Sequence, residues 1–320
     1  MGMTMADPIF KQLTIIGGGM IGSSVAQAAR QAGAAGRIVL SDQSADVLSE
    51  AKELELADDY MTDAGAAVRD ADCVILCTPV GAMTSVAKAI APTLKQGAIV
   101  TDVGSVKQSV QDSLLPLLPE HVHFIPGHPV AGTEKSGPSA GIRDLFQGRW
   151  CILTPPPNMQ DDLALDQLKA FWQQLGSRVE LMPADHHDRV LAITSHVPHL
   201  IAFNIVGTAS DMEEVTRSEV IKYSAGGFRD FTRIAASDPV MWRDVFLNNK
   251  EAVLEMLGRF SEDLTALQRA IRWGDGESLE KLFTRTRDIR RRIIDAGQDD
   301  DAVDFGRQHK DDHGGDRRDD

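Results

Sequence analysis

A glycine-rich turn between a β-branched run and a helical stretch constrains the fold of this chain more than any other feature. The run LTII (residues 13–16) leads directly into Gly17-x-Gly19-x-x-Gly22, and a stretch with helical periodicity follows. In a βαβ unit the first glycine allows a tight turn, the second lets a pyrophosphate approach the backbone, and the third packs helix on strand. The helix N-terminus offers free N–H groups and partial positive charge to the phosphates. The motif therefore predicts a dinucleotide-binding turn.

The end of the second predicted strand supports this interpretation. Asp42 closes the run RIVLSD, twenty residues after the last glycine of the motif. A carboxylate there accepts hydrogen bonds from the ribose hydroxyls and repels a 2′-phosphate, and neither Gln43 nor Ser44 can neutralise that phosphate. NAD is therefore predicted rather than NADP, with Met20 and Ile21 beside the cofactor. An ordinary glycine turn with a surface aspartate is the alternative.

The first half of the chain alternates strand-like runs with helical stretches. Further β-branched runs occur at 73–78, 98–103 and 122–127, followed by WCILTP and RVELM. Strands that alternate with helices of about 10–15 residues predict βαβ crossovers and a mainly parallel sheet, with antiparallel additions near its end. We therefore predict an α/β, Rossmann-type, doubly wound domain over residues 1–184.

From about residue 185 the pattern becomes helical throughout, which predicts an all-α second domain over 185–297. Helices this apolar in so small a domain are expected to bury their surface against a second subunit, as in a homodimer. Residues 298–320 are polar and acidic, and a disordered tail is expected there. Few residues lie outside the two domains, so we expect no further catalytic or sensing domain.

Composition excludes several classes of partner. The net charge of −14 argues against nucleic acid and against anionic membranes. We find no apolar run of the about 18–20 residues that span a bilayer and no secretory signal, so a cytoplasmic protein is expected. The three cysteines have irregular spacing, which favours buried thiols over a disulfide framework or a metal site.

Two loops carry hydroxyl side chains to the edge of the sheet where ligands of α/β proteins collect. Thr78 follows the run 73–77, and Ser105 follows the run 98–103. Both are candidates for contacts with the nicotinamide and its ribose. A generic loop hydroxyl without a role is the alternative for each.

The segment GHPVAGTEKSG (127–137) carries the candidate for catalysis. His128 follows a predicted strand directly and is placed at the edge of the cofactor crevice. An imidazole can accept a proton from a hydroxyl group as a hydride leaves the same carbon, because its pKa lies near neutrality. A histidine that merely bonds the loop backbone is the alternative.

Five segments in this order resemble the prephenate/arogenate dehydrogenase family: GGGMIGSS, DVGSVK, GHPVAGTEKSG, SHVPH and FRDFTRIAASDPVMWRD. The resemblance covers residues from about 12 to 297. It implies NAD-dependent oxidative decarboxylation, in which hydride leaves C4 of the ring, the C1 carboxylate leaves as carbon dioxide, and the ring becomes aromatic without a metal. The product is 4-hydroxyphenylpyruvate from prephenate or tyrosine from arogenate.

The resemblance also implies roles for individual residues. His128 is the base and bonds the C4 hydroxyl, while Ser105 touches that hydroxyl or His128. Arg233 holds a substrate carboxylate, His199 lines the pocket, and Trp242 is part of its wall.

Reasoning from the residues agrees in part. Prephenate has two carboxylates, which suit a bidentate guanidinium, and Arg229 and Arg233 lie one helical turn apart. Each of them is a surface charge in the alternative interpretation. His196 and His199 are also one turn apart, and without a third ligand we expect them to line a pocket or the core rather than bind a metal.

Two other functions stay open. A related two-domain NAD enzyme that acts on a hydroxy acid or an imine would typically present a catalytic lysine in its helical domain. A dimeric NAD-binding sensor would need no histidine and serine that face the nicotinamide. Prephenate and arogenate differ by one charge in the side chain, so the preferred substrate and inhibition by tyrosine also stay open.

Overall fold

The computed structural model describes residues 7–157, 159, 162–216 and 226–294, without the side chains of 162 and 213–216. The predicted tail, 298–320, lies outside the described residues. The chain forms two compact units, Met1–Leu257 and Gly258–Asp320, and each is described by itself. The predicted domain boundary after residue 184 stays a prediction.

The first unit is built on a six-stranded sheet in which every pair of neighbouring strands is parallel. The strand order is β3-β2-β1-β4-β5-β6, so the order reverses between β1 and β4, where ligands of doubly wound folds bind. The strands are β1 (Phe10–Ile16), β2 (Ala35–Ser41), β3 (Asp59–Met61), β4 (Cys73–Leu76), β5 (Ile99–Asp102) and β6 (His123–Phe124). The predicted parallel, doubly wound architecture is confirmed, although the short β3 was not predicted.

Helices pack on both faces of this sheet. They are α1 (Met20–Ala32), α2 (Ala45–Glu53), α3 (Ala64–Ala67), α4 (Val80–Ile90), α5 (Gln108–Leu114) and α6 (Asp162–Gln174). One apolar cluster joins α1 and α6 to the sheet through Val25 and Trp172, and a second joins α4 and α5 through Met83 and Leu114. The three cysteine thiols are free, and those of Cys73 and Cys151 are buried.

A second sheet of three strands follows: β7 (Gly127–Pro129), β8 (Trp150–Leu153) and β9 (Arg178–Leu181). β7 is antiparallel to β8, whereas β9 is parallel to it. The prediction of one strand over 122–127 is wrong, because the run divides between β6 and β7 at Pro126, which has no N–H for a ladder. His128 therefore lies within a strand and not directly after one.

The rest of the described chain is helical, which confirms the all-α prediction for this part. The helices are α7 (Ala184–Leu191), α8 (Val197–Thr216), α9 (Gly226–Thr232), α10 (Pro239–Asn248), α11 (Lys250–Trp273) and α12 (Gly276–Ile293). A π-helical turn, Ala192–His196, joins α7 to α8, and a 3₁₀ turn, Arg233–Ala236, follows α9. α12 and most of α11 belong to the second unit.

The helical stretch Ala184–Met212 corrects the expectation that no part of the chain is apolar enough to cross a membrane. It is long and apolar enough by length and composition, with a mean hydropathy of 1.5 in its most apolar window. A single helix of this kind is weak evidence, because core helices of soluble proteins pass the same test. Its first turns hold the buried polar residues His187 and Asp188, which bond other parts of the protein.

Candidate active site

The glycine turn joins β1 to α1 in the geometry that a dinucleotide requires. Gly17 has φ +106°, and a Cβ at this position would lie 2.6 Å from the carbonyl oxygen of Cys77. A Cβ at Gly22 would lie 2.0 Å from the carbonyl oxygen of Gly17, so both positions admit only glycine. A Cβ at Gly19 would meet no atom within 4 Å, which leaves open space in front of the first turn of α1. That turn contains no acidic residue to oppose a phosphate.

Asp42 follows β2 and holds the turn. Its carboxylate accepts hydrogen bonds from the backbone N–H groups of Gly18 (2.8 Å) and Ser44 (2.9 Å). Each carboxylate oxygen accepts one of these bonds and keeps a lone pair for a ribose hydroxyl. Met20 and Ile21 face the loop after β7, where a Cβ at Gly132 would lie 3.5 Å from Met20 Cε and 3.9 Å from Ile21 Cδ1. The open space, the helix N-terminus and the carboxylate together fit a dinucleotide.

Thr78 and Ser105 follow the carboxyl ends of β4 and β5, and the backbone of Thr78 lies beside the glycine turn. The hydroxyl oxygen of Thr78 is buried and has no hydrogen-bond partner among the described residues. A buried hydroxyl without a partner is costly, which is consistent with a ligand group that bonds it. Ser105 is half-buried. The roles of both residues stay predictions.

His128 is buried in β7 and is the first member of a hydrogen-bonded chain. Its Nδ1 lies 2.8 Å from Nε2 of His187, and Nδ1 of His187 lies 2.8 Å from Oδ1 of Asp188. The Asp188 carboxylate also accepts bonds from the backbone N–H groups of Lys107 (2.8 Å) and Gln108 (2.9 Å), at the start of α5. The first helix of the all-α region therefore contacts the candidate base directly.

A buried ion pair fixes the strand that carries His128. The Lys107 ammonium donates to Asp102 and to the carbonyl oxygen of Gly127 (2.7 Å), and both charged side chains are fully buried. Asp102 in turn accepts bonds from the N–H groups of Gly104 (2.8 Å) and Gly127 (3.2 Å). The end of β5, the following loop and the start of β7 are thus joined at one point.

Burial and this ion pair determine the charge of the candidate base. Burial lowers the pKa of His128 well below its usual value, and unfavourable electrostatic interactions with His187 and the Lys107 ammonium lower it further. Burial also lowers the pKa of His187, to about 2. For Asp188, burial raises the pKa, while the two backbone N–H groups and Lys107 oppose the shift. His128 is therefore neutral at neutral pH, as a general base must be.

The predicted substrate-binding residues lie together. The rings of His199 and Trp242 stack with their centroids 3.6 Å apart, and Nδ1 of His199 bonds the carbonyl oxygen of Ser195 at 2.8 Å. A carbonyl only accepts, so Nδ1 carries the hydrogen and Nε2 keeps a lone pair. Burial and the nearby charge of Arg233 lower the pKa of His199, and the Arg233 guanidinium lies 3.8 Å from Glu134.

The two candidate arginines differ in their surroundings. The Arg229 side chain is 80% exposed and lies 3.7 Å from Asp230, while the Arg233 side chain is 37% exposed and lies near His199. Arg229 lies in α9, whereas Arg233 is the first residue of the 3₁₀ turn that follows it. Arg233 is therefore the better candidate of the two for a substrate carboxylate.

Both halves of the sequence match known family domains. Residues 25–181 match the family described as prephenate dehydrogenase, nucleotide-binding domain, and residues 183–285 match prephenate dehydrogenase, dimerization domain. The chain belongs to the prephenate dehydrogenase family. The nucleotide-binding match begins after the glycine motif, so the motif is a separate observation.

Relatives of this dehydrogenase cover most of its length. A cyclohexadienyl dehydrogenase from Zymomonas mobilis is 44% identical over 282 residues, which are 88% of this chain and 96% of that protein. A prephenate dehydrogenase from Bacillus subtilis is 33% identical over 87% of this chain and 75% of its own length. A crystal structure of Aquifex aeolicus prephenate dehydrogenase in complex with hydroxyphenyl propionate and NAD⁺ superposes on this structure with a TM-score of 0.83. The two sequences are 36% identical, and the match covers 88% of this chain and 98% of that chain.

Several groups around the site of this dehydrogenase were not singled out from the sequence. They are Asp102, Lys107, His187, Asp188 and Asn249. Asn249 donates to the carbonyl oxygen of Asp188 (2.8 Å) and lies 3.1 Å from Nδ1 of His196, which joins the His128 chain to the helices that carry Trp242. The sequence signals for three of them were the tripeptide HHD at 186–188, which contains His187 and Asp188, and the lysine of GSVK. Neither signal indicates which residue the side chain bonds in the folded protein.

Proposed function

We propose that this enzyme oxidises and decarboxylates prephenate, arogenate or both with NAD, and that His128 is its base. The observation that carries the proposal is the position of His128. It is neutral and buried in β7, next to the end of β5, and a series of hydrogen bonds connects it to Asn249 and His196, which adjoin the helices of Trp242 and His199. The names of the relatives, which include a cyclohexadienyl dehydrogenase and prephenate dehydrogenases, support this substrate class.

NAD as the cofactor is supported by the fit of the glycine turn and Asp42, and by the hydroxyl of Thr78, which has no partner among the residues that the structure describes. A carboxylate at the ribose favours NAD over NADP because it repels a 2′-phosphate. When bound, NAD supplies the two-electron acceptor for the oxidation at C4.

The residues of the chain orient the substrate and take its proton. The Arg233 guanidinium holds a carboxylate of the substrate in competition with Glu134, and the Trp242–His199 pair forms a wall for the ring. Ser105 orients the C4 hydroxyl toward His128, which takes the hydroxyl proton as C4 is oxidised. The ketone that forms accepts the electron pair of the bond to the C1 carboxylate, so carbon dioxide leaves and the ring becomes aromatic.

We propose that the enzyme is a cytoplasmic homodimer through its helical region. Exposed apolar side chains on α8 and α9 include Ile205, Val206, Met212 and Phe231. The second unit exposes a further apolar set, in which Trp273 is 75% exposed. Exposed apolar surface of this extent is typical of subunit interfaces, and the family describes this region as a dimerization domain. Light scattering during size-exclusion chromatography tests the proposal, and a monomer at micromolar concentration would contradict it.

The function is tested by the absorbance of reduced nicotinamide with prephenate and with arogenate in parallel. His128→Asn is expected to lower kcat by about 10²–10⁴-fold while NAD binding and melting temperature stay near those of the wild type. The rate of the wild type should fall with decreasing pH at an apparent pKa below 6.5, and this limb should vanish in the variant. His121→Asn is the matched control at an exposed histidine. A wild type that oxidises neither substrate, or a His128→Asn enzyme with normal kcat, would contradict the proposal.

A further inference from the structure

The hydrogen bonds that connect His128 through His187 to Asp188 determine which ring nitrogen of each histidine carries a hydrogen. Both oxygens of Asp188 already accept bonds from backbone N–H groups, those of Lys107 and Gln108. A carboxylate in that position is an acceptor only. Nδ1 of His187 also lies 2.8 Å from Oδ1 of Asp188, so Nδ1 must carry a hydrogen and donate it to the carboxylate.

The proton on His187 then determines the proton on His128. His187 is fully buried and neutral, so a hydrogen on Nδ1 leaves a lone pair on Nε2. Nε2 of His187 lies 2.8 Å from Nδ1 of His128, and two lone pairs cannot face each other at this distance. Nδ1 of His128 must therefore donate, and the lone pair of this ring lies on Nε2. The two rings meet edge-on at an interplanar angle of 70°.

We infer that His187 and Asp188 are positioning residues that hold His128 in the Nδ1–H tautomer, with Nε2 as the atom that takes the substrate proton. This inference rests on the proposed role of His128 as the base. In the proton transfer the O–H bond of the substrate hydroxyl breaks and an N–H bond forms at Nε2. The Nδ1–H of His128 stays bonded to His187 throughout, so the imidazolium keeps its partner.

Burial makes this arrangement necessary. His128 is 7% exposed and His187 is fully buried, so water cannot replace a lost partner at Nδ1. Without an acceptor at Nδ1, nothing fixes the tautomer, because the hydrogen bond of one ring nitrogen determines which nitrogen is protonated. If the hydrogen of the neutral His128 ring is on Nε2, the lone pair lies on Nδ1 and Nε2 cannot accept the proton of the substrate hydroxyl. The wrong tautomer in a comparable histidine–carboxylate arrangement lowers kcat by orders of magnitude.

Two amide substitutions at one position separate this role from simple packing. In His187→Gln the amide reaches the place of Nε2, so its oxygen can still accept from His128 Nδ1. In His187→Asn the amide reaches only the place of Nδ1, so the contact with Asp188 is kept and the acceptor for His128 is lost. We expect kcat of the Gln variant to stay within about tenfold of the wild type and kcat of the Asn variant to fall about 10²-fold. KM for prephenate should change little in either variant.

The tautomer itself is measured by ¹⁵N NMR of histidine-labelled protein at pH 8, with the His128→Asn spectrum used to assign the signals. We expect a protonated Nδ1 and an unprotonated Nε2 for His128 in the wild type and in His187→Gln, and a mixture of tautomers in His187→Asn. His186→Asn, at the exposed neighbouring histidine of α7, is the matched control and should change neither kcat nor the tautomer.

Three results would overturn the inference. The first is a wild-type His128 with its hydrogen on Nε2. The second is equal kcat for the Gln and Asn variants, and the third is a His187→Asn enzyme that keeps the wild-type tautomer. The wild-type spectrum decides the question even if both variants fail to fold. Failure of the proposed function is distinguishable, because a wild type that does not turn over prephenate or arogenate can still show the Nδ1–H tautomer.

Discussion

The buried imidazole of His196 should make the stability of this dehydrogenase depend on pH. His196 is fully buried in the π-helical turn, and its Nδ1 faces the amide of Asn249. Burial lowers its pKa to about 4, although Asp188 opposes the shift. In the unfolded chain the pKa of a histidine is about 6.5.

The sign and the size of the effect follow from this difference. Between pH 6.5 and pH 4 the unfolded chain binds a proton at His196 and the folded protein does not, so the free energy of unfolding falls as the pH falls. A gap of about 2.5 pKa units corresponds to about 3 kcal/mol. His196→Gln removes this contribution and keeps a side chain that can bond Asn249. From pH 7.5 to pH 4.5 the free energy of unfolding of the wild type should therefore fall by about 2–3 kcal/mol more than that of His196→Gln.

Urea unfolding followed by circular dichroism measures the effect at several pH values and constant ionic strength. Protein concentration is kept constant, because dissociation of the proposed dimer would contribute to the apparent stability. His121→Gln, at an exposed histidine, controls for the loss of an imidazole as such. A difference between wild type and His196→Gln that stays constant within about 0.5 kcal/mol across this range would refute the reasoning.

Three further predictions concern the cofactor, the substrate and the buried ion pair. Asp42→Ala with arginine at the next position should raise the NADP/NAD ratio of kcat/KM at least about tenfold, because two charge-assisted bonds to ribose are lost; a wild type that prefers NADP contradicts this. Arg233→Ala should raise KM for prephenate about 10–100-fold at unchanged melting temperature, since a carboxylate contact contributes about 1.5–3 kcal/mol. An equal rise in KM in Arg229→Ala, at the exposed arginine, would contradict the role of Arg233. Lys107→Met should lower the free energy of unfolding by about 3–5 kcal/mol, because it leaves Asp102 buried without its cation, and Asp102→Leu in the same chain should restore part of the loss. Urea unfolding measures both, and a loss below about 1 kcal/mol would contradict the prediction.

Some features of this dehydrogenase could be read from local patterns alone. The parallel sheet, the glycine turn and the helical second half each depend on the spacing of residues that are close in sequence, as in Gly17 to Gly22. Backbone geometry enforces these patterns directly, since a side chain at Gly22 would collide with the turn itself. Where local signals were weak the predictions failed, as for β3, which is three residues long. The predicted strand 122–127 in fact divides into β6 and β7 at Pro126, and this was missed although the sequence shows the proline, which has no N–H for a ladder.

The surroundings of the candidate base, His128, depend on tertiary structure. His128 and His187 are 59 residues apart, and the pairing of their ring nitrogens follows from the packing of α7 against the start of α5 and against β7. The burial that lowers the pKa of His128 is equally a property of the assembled fold. The family of fold and the class of chemistry could be predicted without the structure, because both depend on residue types at short spacings. The groups that contact the candidate base could be identified only from the assembled fold, because a hydrogen bond between distant residues requires a geometry that no local pattern specifies.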